Sequence, residues 1–221
     1  MLKPAVLFFP VLCVTVFLLI RAEIRQNRRQ VYFVKPVSTL LVIAAAAIAF
    51  LLPSPQPKYT TFILAGLLFS LGGDIVLMFQ SASKAFRLGL VLFLIAHVAY
   101  TIIFSLYGAL SLWDVLTAAI LLIIGVSFYQ LIKKNLGAMK IPVILYIVII
   151  SVMVNRAFAA LVSPVFNLMQ AVMIAAGALL FYLSDFILAA NRFWKPWPYH
   201  RISLGFYYAG QFLLALSANY F

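Results

Sequence analysis

Acid is scarce in this chain: of 221 residues only four are Asp or Glu, against 16 Lys or Arg, with two histidines and a single cysteine. One cysteine excludes an intramolecular disulfide and any metal cage built from four cysteines or from a cysteine pair with a histidine pair. Cys13 lies inside the first apolar run, where packing is its expected use. Charged residues make up 9% against 67% hydrophobic, at a mean hydropathy of +1.15, which leaves too little polar surface to cover a water-soluble globule. The basic excess is scattered through short connections rather than gathered into a groove-forming domain. That pattern suits anchoring at anionic lipid surfaces, so membrane lipids are expected partners and nucleic acid is not.

What is abundant is apolar sequence in long blocks. Runs bounded by charge, Pro or Gly fall at about 4–20, 36–52, 60–80, 88–107, 112–132, 141–162, 167–190 and 202–219, each near the ~20 residues a helix needs to cross a ~30 Å hydrocarbon core. The expected fold is all-α, a polytopic membrane bundle of eight transmembrane helices forming one domain over 1–221. Outer-membrane barrels are excluded, because their strands alternate over ~10 residues. The first run resembles a signal-peptide core, yet Arg21, Arg25, Arg28 and Arg29 follow at once and oppose export, so it is read as a span.

Basic residues orient this bundle. Thirteen lie in the first, third, fifth and seventh connections, from Arg21 and Lys35 through Lys84, Lys133 and Lys140 to Arg192 and Arg201, whereas only Lys3 and Lys58 lie on the other side. The positive-inside rule then places those connections in the cytoplasm and both termini outside; in a bacterium the membrane is the inner one.

The third and seventh spans align at an offset of 111, Gly66-x6-Gly73-Asp74-Ile75-Val76-Leu77 against Gly177-x6-Ser184-Asp185-Phe186-Ile187-Leu188. Arg87-x9-His97 aligns with Arg201-x9-Gln211, and the second and sixth spans open with Lys35-Pro36-Val37 and Lys140-Ile141-Pro142-Val143. Together these suggest a parallel 4+4 internal repeat with halves 1–110 and 111–221.

Polar residues inside the spans require a reason. Glu23 and Asp114 fall near interfaces, where solvation makes them inexpensive. Asp74 and Asp185 lie within apolar helices, where an Asp costs around 2.5–3.5 kcal/mol on insertion scales, so both are expected to face the interior in one layer and to mark a site. His97, Gln211, Tyr182, Tyr207 and Tyr208 lie near that layer, with Asn155 and Arg156 deeper. Interhelical hydrogen bonding alone accounts for tyrosines in such places. Arg156 is read as a counter-charge to Asp185 or Asp74, or as a phosphate ligand.

Two carboxyls sharing a dry site do not easily both ionise, which yields one acid and one base. Such a pair suits hydrolysis through an oxocarbenium-like cation and needs neither metal nor organic cofactor. A proton-coupled small-molecule or lipid transporter uses the same Asp pair and is the rival reading. A lipid-binding or assembly protein without chemistry is the third.

Gly72-Gly73-Asp74-Ile75-Val76-Leu77, the His97-centred fourth span, Asn155-Arg156-Ala157, Leu183-Ser184-Asp185 with Asn191-Arg192-Phe193, and Tyr207-Tyr208-Ala209-Gly210-Gln211 follow one another through the chain. This ordered set resembles the YhhN-like lysoplasmalogenase family of integral membrane hydrolases. The resemblance implies a lysophospholipid substrate, cleaved at its vinyl-ether bond to a fatty aldehyde and glycerophosphoethanolamine or glycerophosphocholine. It implies Asp74 and Asp185 as donor and base, in an order left open. His97, Asn155, Tyr182, Tyr207, Tyr208 and Gln211 become candidates for holding water and headgroup, with Arg156 beside them. Arg87, Arg192 and Arg201 could hold the phosphate from the cytoplasmic rim, although topology anchoring explains them first.

Overall fold

The computed structural model describes residues 3–52, 56–79 and 83–220, and among these the regular structure is helical throughout. Eight α-helices follow in order: α1 Phe8–Ile24, α2 Arg28–Ala47, α3 Pro57–Leu77, α4 Ser83–Tyr107, α5 Leu112–Ile132, α6 Lys140–Phe158, α7 Leu168–Phe193 and α8 Ser203–Ser217. Local chemistry sets their starts. Asn27 and Asn167 cap α2 and α7 by accepting from the Gln30 and Gln170 N–H groups, Pro57 opens α3, and Ser111 with Asp114 forms a capping box on α5.

Seven helices are long and apolar enough to cross a membrane among the described residues. The eighth, α8, has 15 residues, continued by 3-10 turns at His200–Ile202 and Ala218–Tyr220. Tyr207, Tyr208, Gln211 and Leu214 on it are buried, so it runs inside the bundle rather than along it. The chain is an integral, multi-pass membrane protein. Two expectations change. The second helix begins at Arg28, not near residue 36, because the Asn27 cap starts it early, so Lys35 lies two turns inside a helix instead of in a connection. Cys13 is exposed on the outer face of α1 and packs nothing in the interior.

Going round the bundle, α2, α3, α4, α6, α7 and α8 each pack on the next, and α8 closes the ring on α2. Outside it, α1 lies against α2 and α8, and α5 lies against α6. The two tightest helix pairs, α3 with α4 and α7 with α8, depend on absent side chains. A Cβ on Gly66 would stand 2.3 Å from the Tyr100 ring, and one on Gly177 would stand 2.9 Å from the Gly210 carbonyl oxygen. Glycine makes room for the ring at the first pair and for the approach of backbones at the second. Most Lys and Arg gather at one end of the bundle, the basic end, where α1 leads to α2, α3 to α4, α5 to α6 and α7 to α8.

Candidate active site

Asp74 on α3 and Asp185 on α7 both line one cavity of about 360 Å³ that reaches the basic end between α1, α2, α7 and α8. Asp74 is the more enclosed of the two, at 2% exposure. Lys35 Nζ stands 3.2 Å from its Oδ1, and the Thr39 hydroxyl and Tyr207 phenol each donate to Oδ2 at 2.7 Å. Behind them the Tyr208 hydroxyl donates to the Lys35 carbonyl at 3.0 Å and stands 3.2 Å from Thr39 Oγ1. Asp74 is thus an ion-paired carboxyl held by two helices, α2 and α8.

Asp185 receives the Tyr146 hydroxyl at 2.5 Å, and His97 Nε2 stands 3.2 Å from the same oxygen and 2.9 Å from the Tyr146 hydroxyl. Its partners come from α6 and α4. His97 is fully buried, and its Nδ1 has no hydrogen-bond partner among the described residues. Phe181 packs edge-on against the His97 ring at 4.6 Å and against Tyr207 at 5.3 Å, so an aromatic wall stands between the two sets of donors. Each carboxyl therefore has its own partners, although both line the one cavity.

A second, apolar hollow of about 60 Å³ runs off Asp185 between α4, α5, α6 and α7, lined by Leu90, Phe128, Val143, Ile147, Ile150 and Tyr182 among others. Leu77, Phe93 and Leu188 border both spaces along with Asp185. Among the described residues, Asp185 is the carboxyl that faces a polar chamber on one side and an oily slot on the other.

The other residues singled out in the sequence divide. Tyr207 lines the cavity and His97 touches Asp185. Tyr208 supports from behind, and Tyr182 faces the slot. Gln211 accepts from the Tyr100 hydroxyl at 2.9 Å, away from the cavity lining. Asn155 and Arg156 are not at this site. Arg156 Nη2 pairs with Asp114 Oδ1 at 2.5 Å, and the Asn155 amide donates to the Asp114 carbonyl and to Thr117. The reason is topological: α6 rises from the basic end at Lys140, so Arg156 lies about 24 Å along it at 1.5 Å per residue, level with the start of α5. Arg156 is accordingly a counter-charge to Asp114, not to Asp74 or Asp185. Of the rim arginines, Arg201 lines the cavity, while Arg192 lies over the Phe86 ring at 4.4 Å.

Lys35, Thr39 and Tyr146 contact the two carboxyls directly and were not singled out as site residues in the sequence. Lys35 reads as an anchor in a connection, and Thr39 and Tyr146 are lone polar groups in aliphatic runs. A helix-face count from Asp74's neighbours would have found Lys35 and Thr39, which are four apart on one face of α2.

The YhhN family model matches residues 30–218, nearly the whole chain and every helix of the ring. The chain belongs to the YhhN family. Its relatives include the protein named lysoplasmalogenase TMEM86A, at 35% identity in Bos taurus and 33% in Homo sapiens, in both cases over 80% of this chain and 72% of the relative. Human lysoplasmalogenase TMEM86B is 32% identical over 85% of this chain and 76% of its own length. No solved structure matches.

Proposed function

We propose that this family member hydrolyses the vinyl-ether bond of lysoplasmalogens, and that it does so at Asp185 and Asp74. The relatives' names support the substrate. The observation that carries the chemistry is that a buried carboxyl, Asp74, and a half-buried one, Asp185, line one cavity and that an apolar slot leaves it at Asp185. The slot has room for only the first carbons of an alkenyl chain, whose remainder would continue toward the lipid, and the polar chamber of about 360 Å³ takes the glycerophospho group, which sets the ether bond beside Asp185.

The two carboxyls divide the work by their partners. Asp74 faces the Lys35 ammonium and two further donors, so it acts as the anion. Asp185 has no Lys or Arg partner among the described residues and borders the apolar slot, so it is assigned the transferable proton. Asp185 gives that proton to the outer alkene carbon. The double bond's electrons form the new C–H bond, and the ether oxygen shares its lone pair with the adjacent carbon as an oxocarbenium ion. Asp74 stabilises the cation and takes a proton from the water that attacks it, forming a hemiacetal. Collapse of the hemiacetal moves its hydroxyl proton to the leaving glycerol oxygen and breaks the C–O bond, giving aldehyde and alcohol. Cavity water returns the proton from Asp74 to Asp185, so no proton is consumed overall.

The bundle is further read as a duplicated four-helix unit whose basic end faces the cytoplasm. Supporting the duplication, α4 packs on α6 as α8 packs on α2, and Gly66 meets Tyr100 as Gly177 meets Leu214, at the offsets of 111 and 114 seen in the sequence. Supporting the orientation, the cavity mouth opens among the basic connections.

The test is aldehyde release from a lysoplasmalogen by protein purified in detergent, beside proton-coupled flux in proteoliposomes. Aldehyde formation that Asp185→Asn abolishes in a folded protein supports the hydrolase. Flux of an intact solute without aldehyde supports the carrier instead and sinks it.

A further inference from the structure

We propose that Glu23, Arg201 and Arg28 at the mouth of the cavity form a cradle for a zwitterionic headgroup, the arginines taking its phosphodiester and Glu23 its primary ammonium. This rests on the reading of the cavity as a lysoplasmalogen site and extends it to headgroup selection. Three observations point to it. Glu23 and Arg201 form an ion pair at 3.1 Å, with side chains only 18% and 27% exposed, and both line the same cavity as Asp74 and Asp185. Arg28 lines the same mouth and has no carboxylate partner among the described residues. Gln26 between them has φ 54°, the one left-handed non-glycine backbone among the described residues, and this bend brings Glu23, Gln26 and Arg28 to one opening.

The charges are arranged as a zwitterion needs. A phosphodiester beside Arg201 and Arg28 and an ammonium beside Glu23 replace one protein ion pair with two protein–lipid pairs, so no charge is left unpartnered on entry. A headgroup carrying only negative charge would leave Glu23 facing an anion after Arg201 is drawn away, which disfavours it. Distance agrees. Arg201 lies six residues before Tyr207, which binds Asp74, about 9 Å of helix at 1.5 Å per residue. That is within reach of a glycerophospho group whose ether oxygen sits beside the carboxyls.

The experiment compares lysoplasmalogens of one chain length bearing phosphoethanolamine or anionic phosphoglycerol headgroups, with wild type and Glu23→Gln. Expected is a loss of about tenfold in kcat/KM for the ethanolamine lipid through KM, the size of one lost charge-assisted hydrogen bond, with the phosphoglycerol lipid unchanged or improved. An equal change on both lipids, or none on either, overturns the proposal. A charge swap, Glu23→Arg with Arg201→Glu, restores the ion pair and should restore thermal stability without restoring the ethanolamine preference. Full recovery of that preference would assign the pair to folding alone. Thermal stabilisation by ester lysophosphatidylethanolamine against lysophosphatidylglycerol reads the cradle without any turnover. Wild type that is stabilised selectively by the former but releases no aldehyde loses the hydrolase reading and keeps the cradle. Equal stabilisation by both lipids, or by free glycerophosphoethanolamine as strongly as by the lysolipid, removes the lipid headgroup site. If both readouts fail, both readings fall separately.

Discussion

Asp74 and Asp185 occupy matching places on α3 and α7, each receiving donors from the helix that precedes its own and from the last helix of the other proposed half, yet the donors differ in kind. Around Asp74 stand an ammonium, a threonine and a tyrosine; around Asp185 stand a tyrosine and a histidine. The helices end differently as well. By helical rise Asp74 is about 5 Å from the end of α3 at Leu77, whereas Asp185 is about 12 Å from the end of α7 at Phe193. Similar positions on paired helices bring two carboxyls to one chamber, and the changed neighbours give them unlike surroundings, on which the proposed division into acid and base rests. Matching frames with unlike surroundings are how two identical groups acquire opposite tasks.

The largest effect that would sharpen this contrast is at Asp185. Asp185→Asn should lower kcat for aldehyde release by on the order of 10³-fold, the middle of the range for loss of a general acid. Single-turnover kinetics on folded protein check it. A rate within a few-fold of wild type would move the proton donor elsewhere.

Lys35→Met comes next and separates the two carboxyls by stability. It leaves the Asp74 carboxylate buried beside a methyl group, and breaking a buried pair from one side costs about 3–5 kcal/mol. The double variant Lys35→Met with Asp74→Asn should recover most of the thermal stability while turnover stays low. If Lys35→Met alone melts like wild type, Lys35 does not hold Asp74. Tyr146→Phe is milder, since one donor to Asp185 is lost and His97 remains; about a tenfold drop in kcat with KM near wild type is expected. An unchanged kcat would make Tyr146 a packing residue.

How far the sequence led follows from the physics of particular residues. Apolar runs longer than a bilayer is thick specify spans almost directly, and an Asp in such a run carries a cost large enough to demand a partner, so Asp74 and Asp185 stand out. Lys35 did not, because Lys before Pro36 reads as the start of a helix when the true start is set by Asn27, a polar residue whose capping contact depends on a turn. Tyr146 did not, since a phenol among aliphatics fits membrane packing as well as chemistry. Arg156 stood out for the right reason, a cation within a span, but its reading as a counter-charge named Asp74 or Asp185 where the structure pairs it with Asp114. Hairpin arithmetic was sufficient to find the right one: with the α5–α6 turn near residues 133–139, positions 114 and 156 lie level across the pair.

The smallest expected effect on turnover therefore lies at that far end, and it breaks the comparison from outside. Arg156 and Asp114 tie the end of α6 to the start of α5, a helix that leans on α6 outside the ring and is mostly exposed. Replacing both together, Arg156→Met with Asp114→Asn, leaves no unpaired charge, so the melting temperature should fall by only a few degrees, as for a loss of about 1 kcal/mol. kcat and KM per folded molecule should match wild type, because no link of the pair reaches the cavity. A rise in KM with stability intact would mean that a charge about 24 Å of helix from Lys140 is felt by the substrate, and the chemistry would then not be confined to the chamber between the two carboxyls.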